Sequence, residues 1–379
     1  MLGGPMKKSG DAGALPPNKR VVCALSGGVD SSVAAALLLE QGWDVIGLFM
    51  RSGVSGHATG EKQGCCSVED ALDARRVADK LGIPFYALNM KDEFGRVIDA
   101  FVEGYARGRT PNPCVLCNRW LKFGHVLSFA DKVGAAKVAT GHYARLDEEG
   151  GRLVLRRPAD RKKDQTYVLA LLTQAQLARS VFPLAALEKP EVRERARALG
   201  LERVAAKKDS VEICFVPGND YRPVVRERLS AEHPAGRAGD FVDTSGNVLG
   251  RHEGVLGFTI GQRKGLGQGF GKRAYVAALD PASGRVVLGD RADLEARALL
   301  AREVEWQIAP LAPGETLGVR AQIRYNHAAV PATVTGLEDG VRVDFDEPEV
   351  AVAPGQLCAL YDEADDRVLG AGWIERALP

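Results

Sequence analysis

The feature that most constrains the fold is a double-glycine turn between two apolar segments near the N-terminus. An apolar run, 21–24, leads into Ser26-Gly27-Gly28, and an alanine- and leucine-rich run, 33–39, follows and stops before Gly42. This order predicts a strand, a tight turn and a helix. The turn brings successive backbone N–H groups into one concavity, and the N-terminus of the helix adds positive charge. The sequence therefore predicts an anion site suited to phosphate.

The turn is not a Walker P-loop, because no lysine follows its glycines. The run 26–32, SGGVDSS, instead resembles the pyrophosphate loop (PP-loop) of enzymes that split ATP into AMP and pyrophosphate to adenylate an oxygen. Ser26, Ser31 and Ser32 would supply hydroxyl donors, and Asp30 would hold Mg²⁺ or shape the first helical turn. An ordinary strand-to-helix turn is the alternative, but the seven-residue pattern favours ATP binding.

The composition predicts a multidomain cytoplasmic protein. At 379 residues the chain is long enough for two or three domains. Its net charge of +1 excludes a globally basic nucleic-acid-binding protein, so any RNA surface is a local patch. No apolar stretch reaches the roughly 18 residues of a membrane span, and the first residues predict a disordered tail rather than a signal peptide. Seven cysteines without a dense framework predict reduced thiols.

Strands and helices are predicted to alternate between about 20 and 200. The predicted strands are 21–24, 44–50, 84–90 and 136–139, and the helices between them include 67–82 and 92–107. Such alternation predicts a doubly wound parallel sheet, in which ligands bind at the carboxyl ends of the strands. The turn at 26–32, Met50 and the pair Gly141-His142 all follow predicted strands. We therefore expect them to share one crevice, with Met50 against the adenine.

Two basic segments are candidates for contact with phosphates. One is 152–163, which has six cations and a single acid, Asp160, and the other is the glycine-rich stretch 261–273, which has four cations. Both are predicted to be loops. On charge alone, a solvated surface loop and a site for a phosphodiester backbone both stay open.

Beyond about 205, short alternating strands and glycine turns replace the helical pattern. The turns at 243–246 and 281–284 are typical of β-hairpins, and strands such as 319–325 and 340–345 indicate a small β-barrel. The predicted fold class is therefore α/β, with an N-terminal doubly wound parallel sheet followed by a small central β domain and a C-terminal β-barrel. The predicted limits are 1–19 for the disordered tail, 20–212 for the PP-loop domain, 213–297 for the central domain and 298–379 for the barrel.

The segment 110–118, TPNPCVLCN, is the second informative stretch. Asn112 is a suitable N-cap and Pro113 a suitable first helical residue. Cys114 and Cys117 then fall in the first helical turns, where the thiolate is favoured. Three interpretations stay open: a reactive nucleophile, a CxxC redox pair, and half of a zinc or iron–sulfur site that Cys65-Cys66 would complete.

Three other cysteines lie in apolar surroundings. Cys23 is inside the first predicted strand, Cys358 inside a predicted barrel strand, and Cys214 inside the run DSVEICF. Because burial is the commonest environment of such cysteines, the pattern alone predicts core thiols at 23 and 358 and leaves one open at 214.

Taken together, these stretches resemble the bacterial-type tRNA-specific 2-thiouridylases over the whole chain after the tail. The matching stretches are SGGVDSS (26–32), GCCS (64–67) with DAR (73–75), TPNPCVLCN (110–118) with Lys122-Phe123, TGHYAR (140–145), KDQTY (163–167), DSVEICF (209–215), GFTIGQRKGLG (257–267) and IRYNH (323–327). The resemblance implies an adenine-nucleotide alpha-hydrolase-like PP-loop domain, a small central β domain and a C-terminal β-barrel.

The resemblance also implies a sulfurtransferase. ATP with Mg²⁺ would adenylate the C2 oxygen of wobble uridine 34 in tRNA, and persulfide sulfur would replace that oxygen to give 2-thiouridine, releasing AMP and pyrophosphate. By motif match Cys117 is the nucleophile and Cys214 carries the persulfide. They are 97 positions apart, so the loop around Cys214 must close on the site, and a transient disulfide between them is expected. The implied partners are the anticodon loops of tRNAs for Glu, Gln and Lys, and a sulfur donor, either a cysteine desulfurase or a sulfur relay, with no membrane partner.

The resemblance assigns binding residues position by position, with no metal ligand among them. Those carried over for ATP are Ala24, Leu25, Ser26, Gly27, Gly28, Val29, Asp30, Ser31, Met50 and Gly141. Those carried over for tRNA are His142, Lys163, Asp164, Gln165, Arg324, Tyr325 and Gln356, with Asn112, Pro113 and Cys114 near the target base.

One position departs from the family pattern. Many members have Asp, with an acid/base role, where this chain has Cys114. A thiol there takes the proton role weakly, leaves it to another group, or joins a metal or cluster site. The rival functions are an iron–sulfur-dependent tRNA thiolase, another PP-loop adenylating enzyme such as an amidating ligase, and a non-catalytic RNA-binding module.

Overall fold

The computed structural model describes most of the chain. The described residues are 19–53, 68–209, 213–216, 218, 220–230, 232–267, 269–270 and 273–379. Residues 1–18 of the predicted tail and the cysteine pair at 65–66 lie outside them. Among the residues described, no helix combines the length and the apolar character needed to cross a bilayer.

Strands and helices alternate through the first half of the chain, and from residue 295 onward the regular elements are strands. The strands are β1 (Arg20–Ala24), β2 (Asp44–Arg51), β3 (Phe85–Asn89), β4 (Lys137–Ala139), β5 (Arg145–Glu149), β6 (Arg152–Arg156), β7 (Ser180–Val181), β8 (Gly239–Asp243), β9 (Val248–His252), β10 (Tyr275–Asp280), β11 (Arg285–Gly289), β12 (Glu295–Trp306), β13 (Thr316–Gln322), β14 (Val330–Leu337), β15 (Gly340–Val350), β16 (Leu357–Tyr361) and β17 (Val368–Leu378). The helices are α1 (Val29–Glu40), α2 (Val68–Leu81), α3 (Lys91–Ala106), α4 (Pro113–Leu116), α5 (Val126–Lys132), α6 (Thr166–Leu169), α7 (Gln174–Ala178), α8 (Lys189–Ala198), α9 (Glu202–Ala205) and α10 (Arg222–Arg228), with a π-helical segment, Cys117–His125, between α4 and α5.

The N-terminal sheet is parallel and carries helices on both faces. Its strand order is β3-β2-β1-β4-β7. Successive residues of β1 point to opposite faces: Val22 packs in a cluster with residues of α3, whereas Val21 and Cys23 pack in a second cluster with residues of α1. Burial raises the pKa of the Cys23 thiol to about 12, as expected for a core cysteine. The predicted doubly wound sheet is confirmed.

The prediction of a loop over 152–163 is wrong. Residues 152–156 are β6, which pairs with β5 as an antiparallel hairpin, and 161–163 form a short 3₁₀ turn. In β6 Leu155 is buried, and Leu153 packs on the same cluster. The short apolar run Leu153-Val154-Leu155 between two arginines is consistent with a buried strand, and the charge count of the segment concealed it.

The second half of the chain forms two β structures. The central sheet has the order β10-β11-β8-β9, with the predicted turns at 243–246 and 281–284 joining antiparallel neighbours. The last six strands form a closed barrel, as predicted. The strand predicted at 319–325 ends earlier, at Gln322, because the Gln322 side-chain amide donates to the carbonyls of Arg324 and Tyr325 and holds a turn there.

The glycine-rich stretch 261–273 is attached to the central sheet through two apolar residues. Leu266 is buried in the core of that sheet, and the Phe270 ring lies 5.3 Å from the Phe241 ring. Arg263 and Lys264 are exposed. The described part of this stretch therefore presents its cations outward from an apolar anchor.

Candidate active site

The PP-loop lies between β1 and α1, at the carboxyl edge of the parallel sheet. Gly28 is the N-cap of α1 in an extended conformation, and Gly27 has φ +74°, which favours glycine. A Cβ atom on Gly27 would lie 2.3 Å from the carbonyl oxygen of Asp70 in α2. This turn therefore needs glycine both for its backbone conformation and for its packing against α2.

Serine side chains hold the turn in shape. The backbone N–H of Ser26 donates to Ser31 Oγ at 3.1 Å, and the Ser31 and Ser32 hydroxyls donate to the Gly28 carbonyl at 3.1 and 2.8 Å. Ser31 and Ser32 are buried, so in this structure their hydroxyls order the loop. The Ser31 and Ser32 hydroxyls, which were expected as donors for a phosphate, thus donate within the loop.

The other predicted nucleotide residues lie around this turn. Ala24, Leu25 and Val29 are buried core side chains, so they can meet a nucleotide only through their backbone. A Cβ on Gly141 would lie 2.6 Å from the backbone nitrogen of Ser31, which shows how closely the chain after β4 approaches the start of α1. Met50 is half-buried near the end of β2. The sheet topology thus gathers these residues along one edge.

Next to the PP-loop is a cluster of ion pairs that the sequence analysis missed. The Lys189 ammonium lies 2.7 Å from both carboxylate oxygens of Asp30 and 3.0 Å from Asp209 Oδ1. The Tyr143 hydroxyl donates to Asp30 Oδ1 at 2.8 Å. Lys189 is largely buried, and it starts α8 in a sequence that looks like an ordinary helix N-terminus. No local pattern marks it, since 159 positions separate it from Asp30.

Asp209 is the centre of this cluster. Besides Lys189, it accepts from Lys163 Nζ at 2.6 Å and from Arg193 at 2.7 Å. Burial alone would raise the pKa of Asp209, but the hydrogen bonds from Lys163 and Lys189 outweigh it and lower that pKa to about 2. Asp209 opens the sequence motif DSVEICF, which was the available signal for its importance.

Lys207 connects the PP-loop to α2. Its ammonium donates to the Gly27 carbonyl at 2.9 Å, to Asp70 Oδ1 at 2.9 Å, and pairs with Asp73 Oδ2 at 2.6 Å. Asp73 is buried, which opposes its ionisation, yet Lys207, Arg76 and Arg203 together lower its pKa. Lys207 therefore fixes the carbonyl side of the turn whose N–H groups form the anion site.

The predicted cysteine helix is present. Asn112 is the N-cap of α4 and Pro113 its first residue, as predicted, although the Asn112 side chain makes no capping hydrogen bond. Cys114 is exposed and Cys117 half-buried, at the start of the π-helical segment. The Gln176 amide donates at 2.7 Å to the carbonyls of Arg119 and Phe123, oxygens that lie beside the kink at Phe123. These contacts stabilise an irregular helix next to Cys117.

The C-terminal barrel holds the segment that precedes this helix. The Thr110 N–H donates to the Pro354 carbonyl at 2.7 Å, and the Gln356 amide donates to the Thr110 carbonyl at 2.8 Å. Gly355 approaches so closely that a Cβ there would lie 2.9 Å from the Arg109 Cβ. Gln356, which was predicted to contact tRNA, therefore also positions the cysteine segment.

Two further predicted tRNA residues come from the barrel. Arg324 donates to the Val350 carbonyl at 3.1 Å and is half-buried. Tyr325 is 40% exposed, and burial of its other part, the Asp164 carboxylate and the Cys114 thiol all raise its pKa, while a hydrogen bond with Gln165 lowers it. Tyr325 thus lies beside both Cys114 and Gln165, so the barrel contributes directly to the cysteine site.

The KDQ triplet, Lys163-Asp164-Gln165, is engaged within the protein. Lys163 pairs with Asp209, and Asp164 pairs with Arg157 while accepting from the Thr166 N–H at 2.8 Å. The Gln165 side-chain oxygen accepts from the Tyr143 N–H at 3.0 Å. These contacts fix the triplet next to the ion-pair cluster around Asp209.

His142 is a buried neutral histidine. Burial, and then the nearby Lys122 ammonium, lower its pKa well below 6.5. Because an ammonium only donates, His142 Nε2 accepts from Lys122 at 3.4 Å, and Nδ1 carries the proton that it shares with Thr140 Oγ1 at 2.7 Å. With 6% of its surface exposed, His142 is placed to orient Lys122.

Cys214 is half-buried next to a core aromatic residue. Its neighbour Phe215 packs against Phe94 and Phe101, with ring centroids 5.9 and 5.1 Å apart. Cys214 and Cys117 both pack against the same hydrophobic cluster. Cys214 is therefore not a fully buried core thiol, which the sequence had left open, whereas the predicted burial of Cys23 and Cys358 is confirmed.

The residues that the structure describes contain no group of three or more His, Cys, Asp or Glu side chains suited to a metal ion. Asp30, which the sequence offered as a Mg²⁺ ligand, has both carboxylate oxygens 2.7 Å from the Lys189 ammonium. That carboxylate does not fit a protein-held Mg²⁺ while the ion pair is present. The cysteine pair at 65–66 lies outside the described residues.

The two arginines in the middle of the basic segment 152–163 are engaged within the protein, whereas Arg152, Arg161 and Lys162 are exposed. Arg156 pairs with Asp147, Glu149 and Asp366, and Arg157 pairs with Asp164 and Asp365. The Arg157 guanidinium also lies 3.7 Å from the centre of the Tyr361 ring. These arginines attach the PP-loop domain to the barrel.

Three family models match successive parts of the chain. Residues 19–218 match the tRNA methyl transferase HUP domain, residues 228–290 the tRNA methyl transferase PRC-barrel domain, and residues 296–374 the aminomethyltransferase beta-barrel domain. The first match alone covers more than half of the chain and coincides with the parallel sheet and its helices.

Curated relatives resemble the chain over nearly its whole length. The tRNA-specific 2-thiouridylase MnmA of Solibacter usitatus (strain Ellin6076) is 48% identical, with 95% of this chain and 100% of the relative covered. The enzyme of the same name from Geobacter metallireducens (strain ATCC 53774 / DSM 7210 / GS-15) is 50% identical, covering 95% and 98%. The tRNA-specific 2-thiouridylase MnmA 1 of Clostridium botulinum (strain Loch Maree / Type A3) is 47% identical, covering 94% and 99%. The chain therefore belongs to the tRNA-specific 2-thiouridylase family.

Proposed function

We propose that this protein is a tRNA-uridine 2-sulfurtransferase that uses ATP to replace the C2 oxygen of wobble uridine 34 by sulfur. The observation that carries the proposal is that one chain contains both an ordered PP-loop and a helix with an exposed cysteine. The barrel holds the segment before that helix in place through Thr110. The PP-loop would receive the phosphates of ATP, because its N–H groups and the start of α1 favour anions. Lys189, which pairs with Asp30 of the loop, lies beside it as a cation for the pyrophosphate.

The first step is adenylation. The C2 oxygen of the uridine attacks the α-phosphorus of ATP, the bond to the β-phosphate breaks, and pyrophosphate leaves. Preorganised N–H groups and cations stabilise the charge on the departing pyrophosphate. Mg²⁺ supplies further charge neutralisation when bound, and we expect the phosphates of ATP to hold it, since Asp30 is paired with Lys189.

The second step is sulfur transfer. The terminal sulfur of a persulfide on Cys214 attacks C2, and AMP leaves with the former C2 oxygen. The Cys117 thiolate then attacks Cys214 Sγ, which forms a Cys117–Cys214 disulfide and releases 2-thiouridine. A thiol reductant and a sulfur donor, either a cysteine desulfurase or a sulfur relay, would restore the two residues for the next cycle.

The residues proposed to contact tRNA are those that the family resemblance assigns to this role. We propose that Lys163, Gln165 and Arg324 face the anticodon loop, that Tyr325 offers an aromatic ring for stacking, and that Asn112, Pro113 and Cys114 lie near the target base. His142 would act through Lys122. We propose tRNAs for Glu, Gln and Lys as substrates, a cytoplasmic location, and domain limits of 20–212, 213–297 and 298–379.

The test is thiolation of tRNA by the purified, reduced protein. The protein is incubated with tRNA, Mg–ATP and sulfide, pyrophosphate is measured, and the tRNA is separated on a mercury-containing gel. We expect retarded tRNA together with tRNA-stimulated pyrophosphate release. Pyrophosphate release without retardation under anaerobic, reducing conditions would instead indicate a different adenylating enzyme.

A further inference from the structure

One lysine of the site lacks the carboxylate partner that the others have. The ammonium groups of Lys163, Lys189 and Lys207 lie 2.6, 2.7 and 2.6 Å from aspartate oxygens. Lys122 is half-buried and, in the part of the chain that the structure describes, pairs with no carboxylate. Its ammonium lies 3.4 Å from His142 Nε2. Because an ammonium has three N–H donors, at least two remain for a ligand.

His142 holds this ammonium in place without balancing its charge. The imidazole ring packs with the rings of Phe123 and Phe182, at centroid distances of 6.3 and 6.4 Å, and Thr140 Oγ1 lies 2.7 Å from Nδ1. Burial lowers the pKa of His142 well below 6.5, so the ring is neutral near pH 7. The positive charge of Lys122 is therefore preorganised for an anion that the described residues do not supply.

The π-helical segment aligns Lys122 with Cys117. In a π-helix each N–H bonds to the carbonyl five positions earlier, so residues five positions apart lie one turn apart on the same side. The Val126 N–H at the end of the segment has this spacing, since it donates to the Leu121 carbonyl. Lys122 is five positions after Cys117. In an α-helix, with 3.6 residues per turn, the two would face different sides.

The same ammonium lies near the border of the PP-loop. His142 follows Gly141, whose backbone is so close to the start of α1 that a Cβ there would lie 2.6 Å from the Ser31 nitrogen. In the proposed reaction, C2 of the uridine lies between the α-phosphorus of ATP and the attacking sulfur. A cation that extends from the cysteine helix to this border is suited to the α-phosphate, whereas Lys189 lies at the loop itself.

We propose that Lys122 is a catalytic residue of the adenylation step, that it binds a non-bridging oxygen of the α-phosphoryl group, and that His142 positions it. The inference rests on the proposed function, in which ATP adenylates the uridine. Lys122 keeps its proton and forms no covalent bond. Its charge stabilises the α-phosphoryl oxygens while the C2 oxygen bonds to phosphorus and pyrophosphate leaves with the electron pair of the broken bond.

The test measures adenylation in a single turnover without a sulfur source. Wild type, Lys122→Met, Lys122→Arg and Lys132→Met are used in excess over tRNA, at saturating Mg–ATP, and pyrophosphate release is followed. Lys132→Met is the matched control, because Lys132 is an exposed lysine of α5 and its loss changes the charge equally. Urea unfolding and filter binding of tRNA show which variants fold and bind. Each variant is also assayed with the two diastereomers of ATP that carry sulfur on the α-phosphorus.

We expect Lys122→Met to release pyrophosphate about a hundredfold more slowly than wild type, because it loses a charged contact to the transition state. Lys122→Arg, which keeps the charge, recovers part of this loss, and Lys132→Met matches wild type. All variants keep the affinity of wild type for tRNA. In wild type the two diastereomers react at different rates, because sulfur replaces the oxygen that Lys122 contacts in only one of them. This difference is much smaller in Lys122→Met.

A wild-type rate of pyrophosphate release in Lys122→Met, or an unchanged preference between the diastereomers, would overturn the proposal. Two results would do so by giving Lys122 another anion. If it binds a phosphate of the tRNA backbone, Lys122→Met weakens tRNA binding and its salt dependence but keeps the rate at saturation. If it serves the Cys117 thiolate, Lys122→Met slows alkylation of Cys117 by iodoacetamide and leaves pyrophosphate release unchanged.

Lys122→Gln decides by the same criteria if Lys122→Met does not fold. Failure of the proposed function is a separate result, since wild type itself would then release no pyrophosphate in response to tRNA.

Discussion

At the scale of single residues, the site combines side chains whose protonation is fixed with thiols that must react. Asp209 stays ionised, since its pKa is lowered to about 2, and His142 stays neutral because burial and Lys122 lower its pKa. Cys114 is exposed and Cys117 is half-buried at the start of an irregular helix. The charges of Asp209 and His142 are thus constant near neutral pH, and in the proposed reaction the cysteines undergo the chemical change.

Replacing Cys117 separates the two proposed steps. Cys117→Ser is expected to abolish formation of 2-thiouridine, by about three orders of magnitude, because a serine hydroxyl is a far weaker nucleophile than a thiolate. Pyrophosphate release should continue, since Cys117 takes no part in adenylation. Nucleoside analysis of the tRNA and a pyrophosphate assay on one sample measure both. The sulfur is supplied by a cysteine desulfurase with cysteine, because free sulfide could attack C2 directly and bypass both cysteines. Cys214→Ser, which cannot carry the persulfide, is the comparison and should likewise release pyrophosphate without forming 2-thiouridine. Loss of pyrophosphate release in Cys117→Ser would remove Cys117 from the nucleophile role.

The neutral His142 predicts the pH dependence of stability. A histidine whose folded pKa lies below the unfolded value of about 6.5 stabilises the folded protein above pH 6.5, and that stability is lost as the pH falls, because the unfolded chain takes up the proton first. The free energy of unfolding, measured by urea denaturation, should therefore decrease as the pH is lowered from 7.5 to 5.5. His142→Gln should make this decrease smaller by about 1 kcal/mol. An identical pH dependence in wild type and His142→Gln would show that His142 is not the group responsible.

At the scale of elements, the PP-loop is defined by packing against its neighbours as much as by its own sequence. Gly27 needs a positive φ and has the backbone of α2 directly against it, while Lys207 holds its carbonyl. Gly42, at the other end of α1, also has a positive φ, but no atom lies within 4 Å of the position that a Cβ would take there. A comparison of alanine substitutions at Gly27 and Gly42 therefore distinguishes the effect of backbone strain from the effect of a steric clash.

Gly27→Ala should disable the ATP site. The new Cβ would lie 2.3 Å from the Asp70 carbonyl, so the turn must move away from α2, and a shift of about 1 Å at a catalytic loop costs about a hundredfold in rate. Gly42→Ala introduces the same backbone strain at a positive φ, about 1 kcal/mol. It should lower the stability of the protein without lowering the rate of pyrophosphate release. Pyrophosphate release and urea unfolding are measured for both; equal effects on pyrophosphate release would contradict the steric account.

The sequence predicted the elements that have a local signal. The strands, the double-glycine turn, the cysteine helix and the barrel follow from periodicity and turn residues, and the structure has them. It did not predict Lys189 and Lys207 at the PP-loop, because their partners lie 159 and 180 positions away, at Asp30 and Gly27. It also missed β6, where the high charge count of the segment hid the short apolar run 153–155.

At the scale of the whole molecule, the barrel is part of the site. It holds the Thr110 segment through Pro354 and Gln356, and it brings Tyr325 next to Cys114. Its attachment to the PP-loop domain includes the buried Arg157, which pairs with Asp164 of the KDQ triplet and Asp365 of the barrel. Stability and activity are therefore coupled through this contact.

Arg157→Met should weaken the attachment of the barrel. It leaves two carboxylates, Asp164 and Asp365, without their buried partner, which costs about 3 kcal/mol or more. Arg342→Met is the control, since Arg342 and Asp344 form an exposed pair in the barrel that is worth at most about 1 kcal/mol. Urea unfolding should show a much lower midpoint for Arg157→Met than for Arg342→Met. Similar midpoints would mean that the Arg157 contacts do not hold the barrel in place.

The most direct test of the central claim follows the C2 oxygen of the uridine. An anticodon stem-loop carrying oxygen-18 at C2 of uridine 34 is incubated with the protein, Mg–ATP and sulfide, and the AMP is analysed by mass spectrometry. If ATP adenylates that oxygen, each AMP formed with 2-thiouridine carries the label. Unlabelled AMP, with the label still in the RNA or in water, would contradict adenylation of the uridine and with it the function proposed for this site.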